Sequence, residues 1–306
     1  MSLSDDLRDE LAAIAPRSDC DALAELSGLF HTAGSVHLRG RGEVAVHLDV
    51  ASPAAARRSF SLLRSHEVTS EIRTYKRRAF DRATRYQLHV AGDARALQAL
   101  YEAGILTRKL APLEHPPRRV VSRSCCRSAY VRGALLGGGS LSGPRAPHLE
   151  VRSASAAGAR FLAELVRLDG ARLAVYDRGA HAIAYAKGVD AIADVLAVAG
   201  AGHTVLAFEE AAVVAATRAR ANRLANADHA NLVRTSHAAH QQLQAIDELR
   251  RTGALQTLPP ALQEIADLRR RHPTLSLREL AQHCERPATK AAAYRRLQKL
   301  QRLAGV

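Results

Sequence analysis

Leu26-Ser-Gly-Leu-Phe-His-Thr-Ala-Gly-Ser35 and Val131-Arg-Gly-Ala-Leu-Leu-Gly-Gly-Gly-Ser140 are two copies of one motif, 105 residues apart. Each reads as a short apolar helix stopped by Gly-Ser. The parallel continues downstream: His47-Leu-Asp-Val-Ala-Ser52 is answered by His148-Leu-Glu-Val-Arg-Ser153, and an Ala/Arg-rich helical stretch follows each. Tyr86-Gln-Leu-His-Val-Ala-Gly92 is answered by Ile183-Ala-Tyr-Ala-Lys-Gly188, and a further glycine follows 12 residues after each, at Gly104 and Gly200. Several anchors matched in the same order indicate an internal duplication.

Within the first copy the periodicity predicts a helix over 21–33 and strands over 36–39 and 44–50. A helix over 53–66, strands over 69–76 and 85–91, and a helix over 93–103 follow. Val44, Val46, Leu48 and Val50 alternate with other residues, as in a sheet covered on one face. The second copy repeats the pattern at 128–138, 148–153, 155–169, 171–177, 181–186 and 189–199. The Pro-rich segment Ala111-Pro-Leu-Glu-His-Pro-Pro117 joins the halves. The expected fold is α+β, a duplicated αββαββα unit with pseudo-two-fold symmetry, two sheets and paired motif helices, followed by an all-α domain. The expected boundaries are 1–110 for the first repeat, 111–127 for the linker and 128–205 for the second repeat. Connecting helices then span 206–252 and a terminal domain 253–306.

From about Phe208 the period is purely helical, over 208–226 and 230–251. The polar segment Asn222-Arg-Leu-Ala-Asn-Ala-Asp-His-Ala-Asn231 interrupts it, and a helix break is expected near Ala227 to His229 because Asn and Asp favour caps. Next comes a helix from Pro259 to Arg271. Ser276-Leu-Arg-Glu279 is a capping box opening a short helix to His283. A turn at Cys284-Glu-Arg-Pro287 leads to a helix capped by Thr289 and running to about Leu303. That order is helix-turn-helix geometry. Leu280, Ala281, Ala293 and Leu297 fall on inward positions, although Ala293 also lies close to the bases. In such a module the start of the second helix enters the major groove and flanking cations hold phosphates. The candidate DNA-binding residues are Ser276, Thr289, Lys290, Ala292, Arg295, Arg296 and Lys299, with Arg302 on the same outward face.

The chain of 306 residues carries 44 Lys/Arg against 30 Asp/Glu, a formal charge of +14. Such a field favours polyanions, nucleic acid first and an anionic membrane second. From Arg220 onward 15 Lys/Arg face seven Asp/Glu, so most of the excess lies in the last 87 residues. A second basic cluster, Arg73, Lys76, Arg77, Arg78, Arg82 and Arg85, surrounds the second hairpin of the first half and is a possible secondary DNA contact. The start, Met1-Ser-Leu-Ser-Asp-Asp-Leu-Arg8, has no signal-peptide core, and no run is long and apolar enough to span a membrane. Cys20, Cys125, Cys126 and Cys284 lack Cys-x-x-Cys spacing and read as free thiols in a reducing compartment. His237 and His240 share a helix face without an acid or cysteine at ligand spacing, so neither a metal nor a cofactor is expected. The expected location is cytoplasmic, at the nucleoid. Gly137-Gly-Gly-Ser140 lacks the Gly-Lys-Ser/Thr ending of a phosphate loop and lies within the repeated motif.

The paired motif resembles the LAGLIDADG helices of homing endonucleases, which pack side by side between two saddle-shaped sheets that straddle DNA. In that family the acid just before the final glycine binds the metal at the scissile phosphate, and paired carboxylates suit two-metal hydrolysis. The corresponding positions here are Ala33 and Gly138, which cannot ligate a metal, so no catalytic residue is expected. A degenerate LAGLIDADG pair followed by a helix-turn-helix resembles the WhiA regulators. The matching segments are Cys125-Cys-Arg-Ser-Ala-Tyr-Val-Arg-Gly-Ala-Leu-Leu-Gly-Gly-Gly-Ser140, Phe208-Glu-Glu210, Asn222 to Asn231, Ser276-Leu-Arg-Glu-Leu-Ala281, Thr289-Lys290 and Arg296-Leu297. The resemblance implies a double-stranded-DNA-binding transcriptional regulator of cell division, chromosome segregation and, where it occurs, sporulation, acting with WhiB-type iron–sulphur proteins. The chain itself is read as having no cluster ligands, and its oligomeric state is left open. Two rivals remain from other classes: a residual metal-dependent endonuclease, and a scaffold that binds protein or DNA nonspecifically through the duplicated domain.

Overall fold

The computed structural model describes residues 2–38, 44–76 and 83–305, which form two compact units, 1–216 and 217–306. In the first, α1 (Leu3–Ala13) precedes α2 (Asp19–Ala33), β1 (Gly34–Leu38), β2 (Val44–Val50), α3 (Pro53–Ser65), β3 (Ser70–Lys76), β4 (Thr84–Ala91) and α4 (Ala94–Glu102). The second half follows with α5 (Ser124–Gly138), β5 (Gly139–Leu141), β6 (His148–Ser153), α6 (Ala156–Leu168), β7 (Ala174–Asp177), β8 (Ala182–Lys187) and α7 (Val189–Ala199). Both sheets are four-stranded and antiparallel, ordered β1-β2-β4-β3 and β5-β6-β8-β7, so the duplication extends to topology.

The motif helices α2 and α5 pack against each other at the centre of one continuous core. Their small residues permit this. A Cβ on Gly28 would lie 2.1 Å from the Tyr130 carbonyl oxygen, and one on Gly133 would lie 2.1 Å from the Glu25 carbonyl oxygen. Backbone therefore meets backbone at two positions that share the 105-residue offset. Glu25 is fully buried between the helices and accepts two hydrogen bonds from Arg58 of α3, at 2.6 and 2.8 Å, and one from Arg132 of α5, at 3.1 Å. A buried carboxylate needs such partners, since an unpaired charge there is costly.

The predicted strands and helices of both repeats are present, with ends shifted by one to four residues. Two elements of the first unit were not anticipated: the short edge strand β5, and a helix at the start. The polar start of the chain folds as α1, where Ser2 and Asp5 form a reciprocal capping box and Leu7 and Leu11 enter the core. Ser4 both donates to and accepts from the backbone of Leu141, at 3.0 and 2.8 Å, which attaches α1 to the edge strand β5. Leu3, Leu7 and Leu11 mark this helix's inward face at four-residue spacing, a stripe that the sequence reading passed over among the acidic residues around it.

The expected break near Ala227 to His229 does not occur: α8 runs uninterrupted over Gly202–Arg251, a helix of 50 residues. Asn and Asp inside a helix cost only about 0.7 kcal/mol each relative to Ala, and no Gly or Pro enforces a stop. Its start belongs to the first unit, where Phe208 is buried and Glu10 accepts from the Thr204 amide at 2.7 Å. Its end supplies Ile246 and Leu249 to the core of the second unit. There α9 (Pro260–Arg271), α10 (Leu277–Gln282) and α11 (Lys290–Ala304) close over Leu262, Ile265, Leu280, Ala281, Ala293, Leu297 and Leu300.

Candidate nucleic-acid interface

The second unit positions α11 through its caps and its inward stripe. Ser276 Oγ accepts the Glu279 amide at 3.3 Å while Glu279 accepts from the Ser276 amide at 2.8 Å, so the capping box expected for α10 is formed. Hydrogen bonding from Ser276 holds the Glu279 carboxyl below the usual carboxylate range. Thr289 Oγ1 accepts the Ala292 amide at 3.2 Å and caps α11. Arg269 of α9, almost fully buried, donates to the carbonyls of Pro273 and Leu275 at 3.3 and 2.7 Å and fixes the approach to α10. Ala281 and Ala293 are both buried where α10 and α11 belong to one core, so Ala293 is a packing residue.

Lys290, Arg295, Lys299 and Arg302 are exposed on α11, and none has an acidic ion-pair partner among the described residues. Thr289 and Ser276 are exposed and Ala292 is half-buried. Arg296 differs from the outward set. Its Nη1 lies 3.7 Å from Glu264 of α9 and 3.8 Å from the Cys284 sulfur, so it ties α11 to the preceding helices. Position 296 follows buried Ala293 by three and precedes buried Leu297 by one, which places it on the flank of the inward stripe. Sequence reasoning missed Tyr294: it is 47% exposed, and Gln298 donates to its hydroxyl at 2.8 Å. An aromatic one residue, a 100° turn, past an inward position carries no charge to mark it as outward, and sequence alone leaves it unassigned.

In the first unit Ala33 and Gly138, at the C-terminal ends of the motif helices, line an open cleft of about 440 Å³ with Arg8, Asp49, Arg85, Arg152 and His181. Asp49 is the single carboxylate lining it, and it is already engaged by Tyr75 and by Arg85 at 3.7 Å. A Cβ at position 138 would lie 2.6 Å from the Arg152 carbonyl oxygen, so no side chain fits there without a backbone shift. The paired carboxylates of a two-metal phosphodiesterase therefore have no counterpart at these two positions.

The hairpin cluster separates when the strands are laid out. Arg73 pairs with Gln87 in register and Arg85 with Tyr75, so both lie on the sheet face opposite the buried Leu88 and Val90. Lys76 alternates onto the other face. Arg73 is bridged to Glu71 at 2.7 Å and Arg85 to Asp49, so both cations already have acidic partners. Arg77, Arg78 and Arg82 lie outside the described residues.

A duplicated LAGLIDADG-like unit joined to a helix-turn-helix defines the class of this protein. Family models match each part in turn: the WhiA N-terminal LAGLIDADG-like domain at residues 19–106, the WhiA LAGLIDADG-like domain at 127–218 and the WhiA C-terminal HTH domain at 221–304. The chain is 34% identical to a probable cell division protein WhiA of Heliobacterium modesticaldum, over 99% of this chain and 96% of the relative. A probable cell division protein WhiA of Desulforudis audaxviator is also 34% identical, with 99% and 97% covered. The chain belongs to the WhiA family. Among solved structures, full-length DUF199/WhiA from Thermatoga maritima matches with a TM-score of 0.57 at 21% identity, over 100% of this chain and 98% of that one. The N-terminal LAGLIDADG domain of DUF199/WhiA matches with a TM-score of 0.52 at 18% identity, over 64% and 89%. Among the described residues no helix is long and apolar enough to cross a membrane.

Proposed function

We propose that this chain is a sequence-specific transcriptional regulator that binds double-stranded DNA through α11, without nuclease activity. The observation that carries the reading is the set of exposed cations on the second helix of the helix-turn-helix, Arg295, Lys299 and Arg302 on one face and Lys290 in the first turn, unpaired with carboxylates among the described residues. Lys290 and Arg295 suit guanine edges or phosphates, Lys299 and Arg302 phosphates. Exposed Thr289 and Tyr294 suit the reading of base edges and half-buried Ala292 a thymine methyl group, and Ser276 stands at the start of α10. Arg296 acts from within, by holding α11 against α9.

The identity of Ala33 and Gly138 and the arginines around them support the absence of metal-dependent cleavage. Relatives named as probable cell division proteins make cell-division genes the favoured targets, and the resemblance to the family extends the reading to chromosome segregation and, where it occurs, sporulation. A cytoplasmic, nucleoid-associated location and a WhiB-type iron–sulphur partner belong to the same reading. Selection of genomic fragments by the full chain tests it: a recurrent motif should emerge, and Thr289→Ala with Tyr294→Ala should blur it. Recovery of fragments with no shared sequence would refute specific readout.

A further inference from the structure

The N-terminal ends of the motif helices, opposite to the arginine-lined cleft, hold a cluster of metal-ligand side chains among the described residues. One ligand atom from each of Cys20, Asp21, Cys125 and Cys126 lies within 4.8 Å of all the others. Cys20 and Asp21 sit in the first turn of α2, and Cys125 and Cys126 in the first turn of α5. Cys20 and Cys125 are 105 residues apart, as are Asp21 and Cys126, the same offset that relates Gly28 to Gly133. The four ligands are thus two pairs generated by the pseudo-two-fold.

Geometry and donor chemistry agree. The Cys125 and Cys126 sulfurs are 3.9 Å apart. Around a tetrahedral zinc with Zn–S near 2.3 Å, sulfurs are separated by about 3.8 Å, so modest contraction closes the set. Asp21 is only 4% exposed; its carboxylate interacts with the Cys125 thiol, while its Oδ1 has no hydrogen-bond partner among the described residues. An unpartnered buried carboxylate oxygen is costly unless something binds it. Neither α2 nor α5 has a side-chain cap, so no side chain occupies the N-terminal turns that carry the four ligands. Cys125 is exposed and Cys20 half-buried, so an ion can enter from solvent. Three sulfurs select a soft or borderline cation over magnesium or calcium.

We propose that Cys20, Asp21, Cys125 and Cys126 form a tetrahedral site for one zinc-class divalent cation, which ties together the N-terminal ends of the two motif helices. Such an ion would link halves of the repeat that are distant in sequence, as structural zinc does elsewhere.

The test uses the reduced, metal-free full chain titrated with Co²⁺ as a spectroscopic stand-in. Binding should saturate at one equivalent, with thiolate-to-cobalt charge transfer in the near ultraviolet and intense visible bands, both lost on adding Zn²⁺. Cys20→Ser and Cys126→Ser should each cut the charge-transfer intensity by at least about a third and weaken binding, while Cys284→Ala should retain both. Wild-type protein gives a readout independent of how the variants fold: Zn²⁺ should slow alkylation of Cys20 and Cys125, followed by peptide mass spectrometry. Absence of the charge-transfer band, an undiminished band in Cys20→Ser and Cys126→Ser, or alkylation unaffected by Zn²⁺ would overturn the proposal. So would a Cys20–Cys126 disulfide formed by chain that binds no metal when reduced.

Discussion

Gly28 and Gly133 show how single residues set the architecture. An alanine at either position puts a methyl group 2.1 Å from a facing carbonyl oxygen, so the motif helices must separate. Gly28→Ala or Gly133→Ala should cost about 3 kcal/mol, read as a lowered urea midpoint of the first unit. Glu25 makes a different demand: Glu25→Gln leaves Arg58 and Arg132 buried without their anion, and a loss of about 3–5 kcal/mol is expected. His31 gives the first unit a pH dependence. Burial lowers its pKa from 6.5 to about 4, and its Nδ1 lies 2.8 Å from the Ser27 carbonyl oxygen. The unfolded ring takes up a proton below about pH 6.5, whereas the folded ring resists until about pH 4. Stability therefore falls as pH drops through that window, by up to about 3 kcal/mol. Urea midpoints between pH 7 and 4 should decline less steeply in His31→Phe; an identical decline would place the acid sensitivity elsewhere.

At the scale of elements, the helix-turn-helix depends on short helices that need their caps. Ser276→Ala removes the acceptor of the Glu279 amide and should cost about 1 kcal/mol, lowering the melting temperature of the second unit by about 4–8 °C. Ala281→Leu should overpack the core shared by α10 and α11 and weaken DNA binding through misfolding, which circular dichroism distinguishes from a lost contact. The elements of the duplicated unit were legible because alternation in β2 and the motif helices repeat with one offset, so each half checks the other. The capping box and the Thr289 cap were legible because their signals are local. The continuity of α8 was not, since Asn226 and Asp228 serve equally as caps or as exposed helix residues, and sequence does not say which. Arg296 was assigned outward by its charge, whereas its place in the helical stripe turns it toward Glu264. The Cys20–Cys126 grouping was illegible from spacing, because ligands 105 residues apart become neighbours only once the pseudo-two-fold is built.

Over the whole molecule, charge is divided unequally. The last 87 residues carry 15 Lys/Arg against seven Asp/Glu. On the face of the first sheet opposite its core, the described cations Arg73 and Arg85 are each held by an acid. Self-neutralised cations release few counterions from DNA, whereas unpaired ones release about one each. The most direct test is therefore the slope of log affinity against log salt, measured by anisotropy for the full chain on promoter DNA. It compares wild type with Arg295→Ala/Lys299→Ala and with Arg73→Ala/Arg85→Ala. The α11 pair should lower affinity and flatten the slope by about 2 units, and the sheet pair should change neither. The opposite pattern, an unaltered slope for the α11 variant and a flattened one for the sheet variant, would make the LAGLIDADG-like saddle the DNA contact and contradict the assignment to α11.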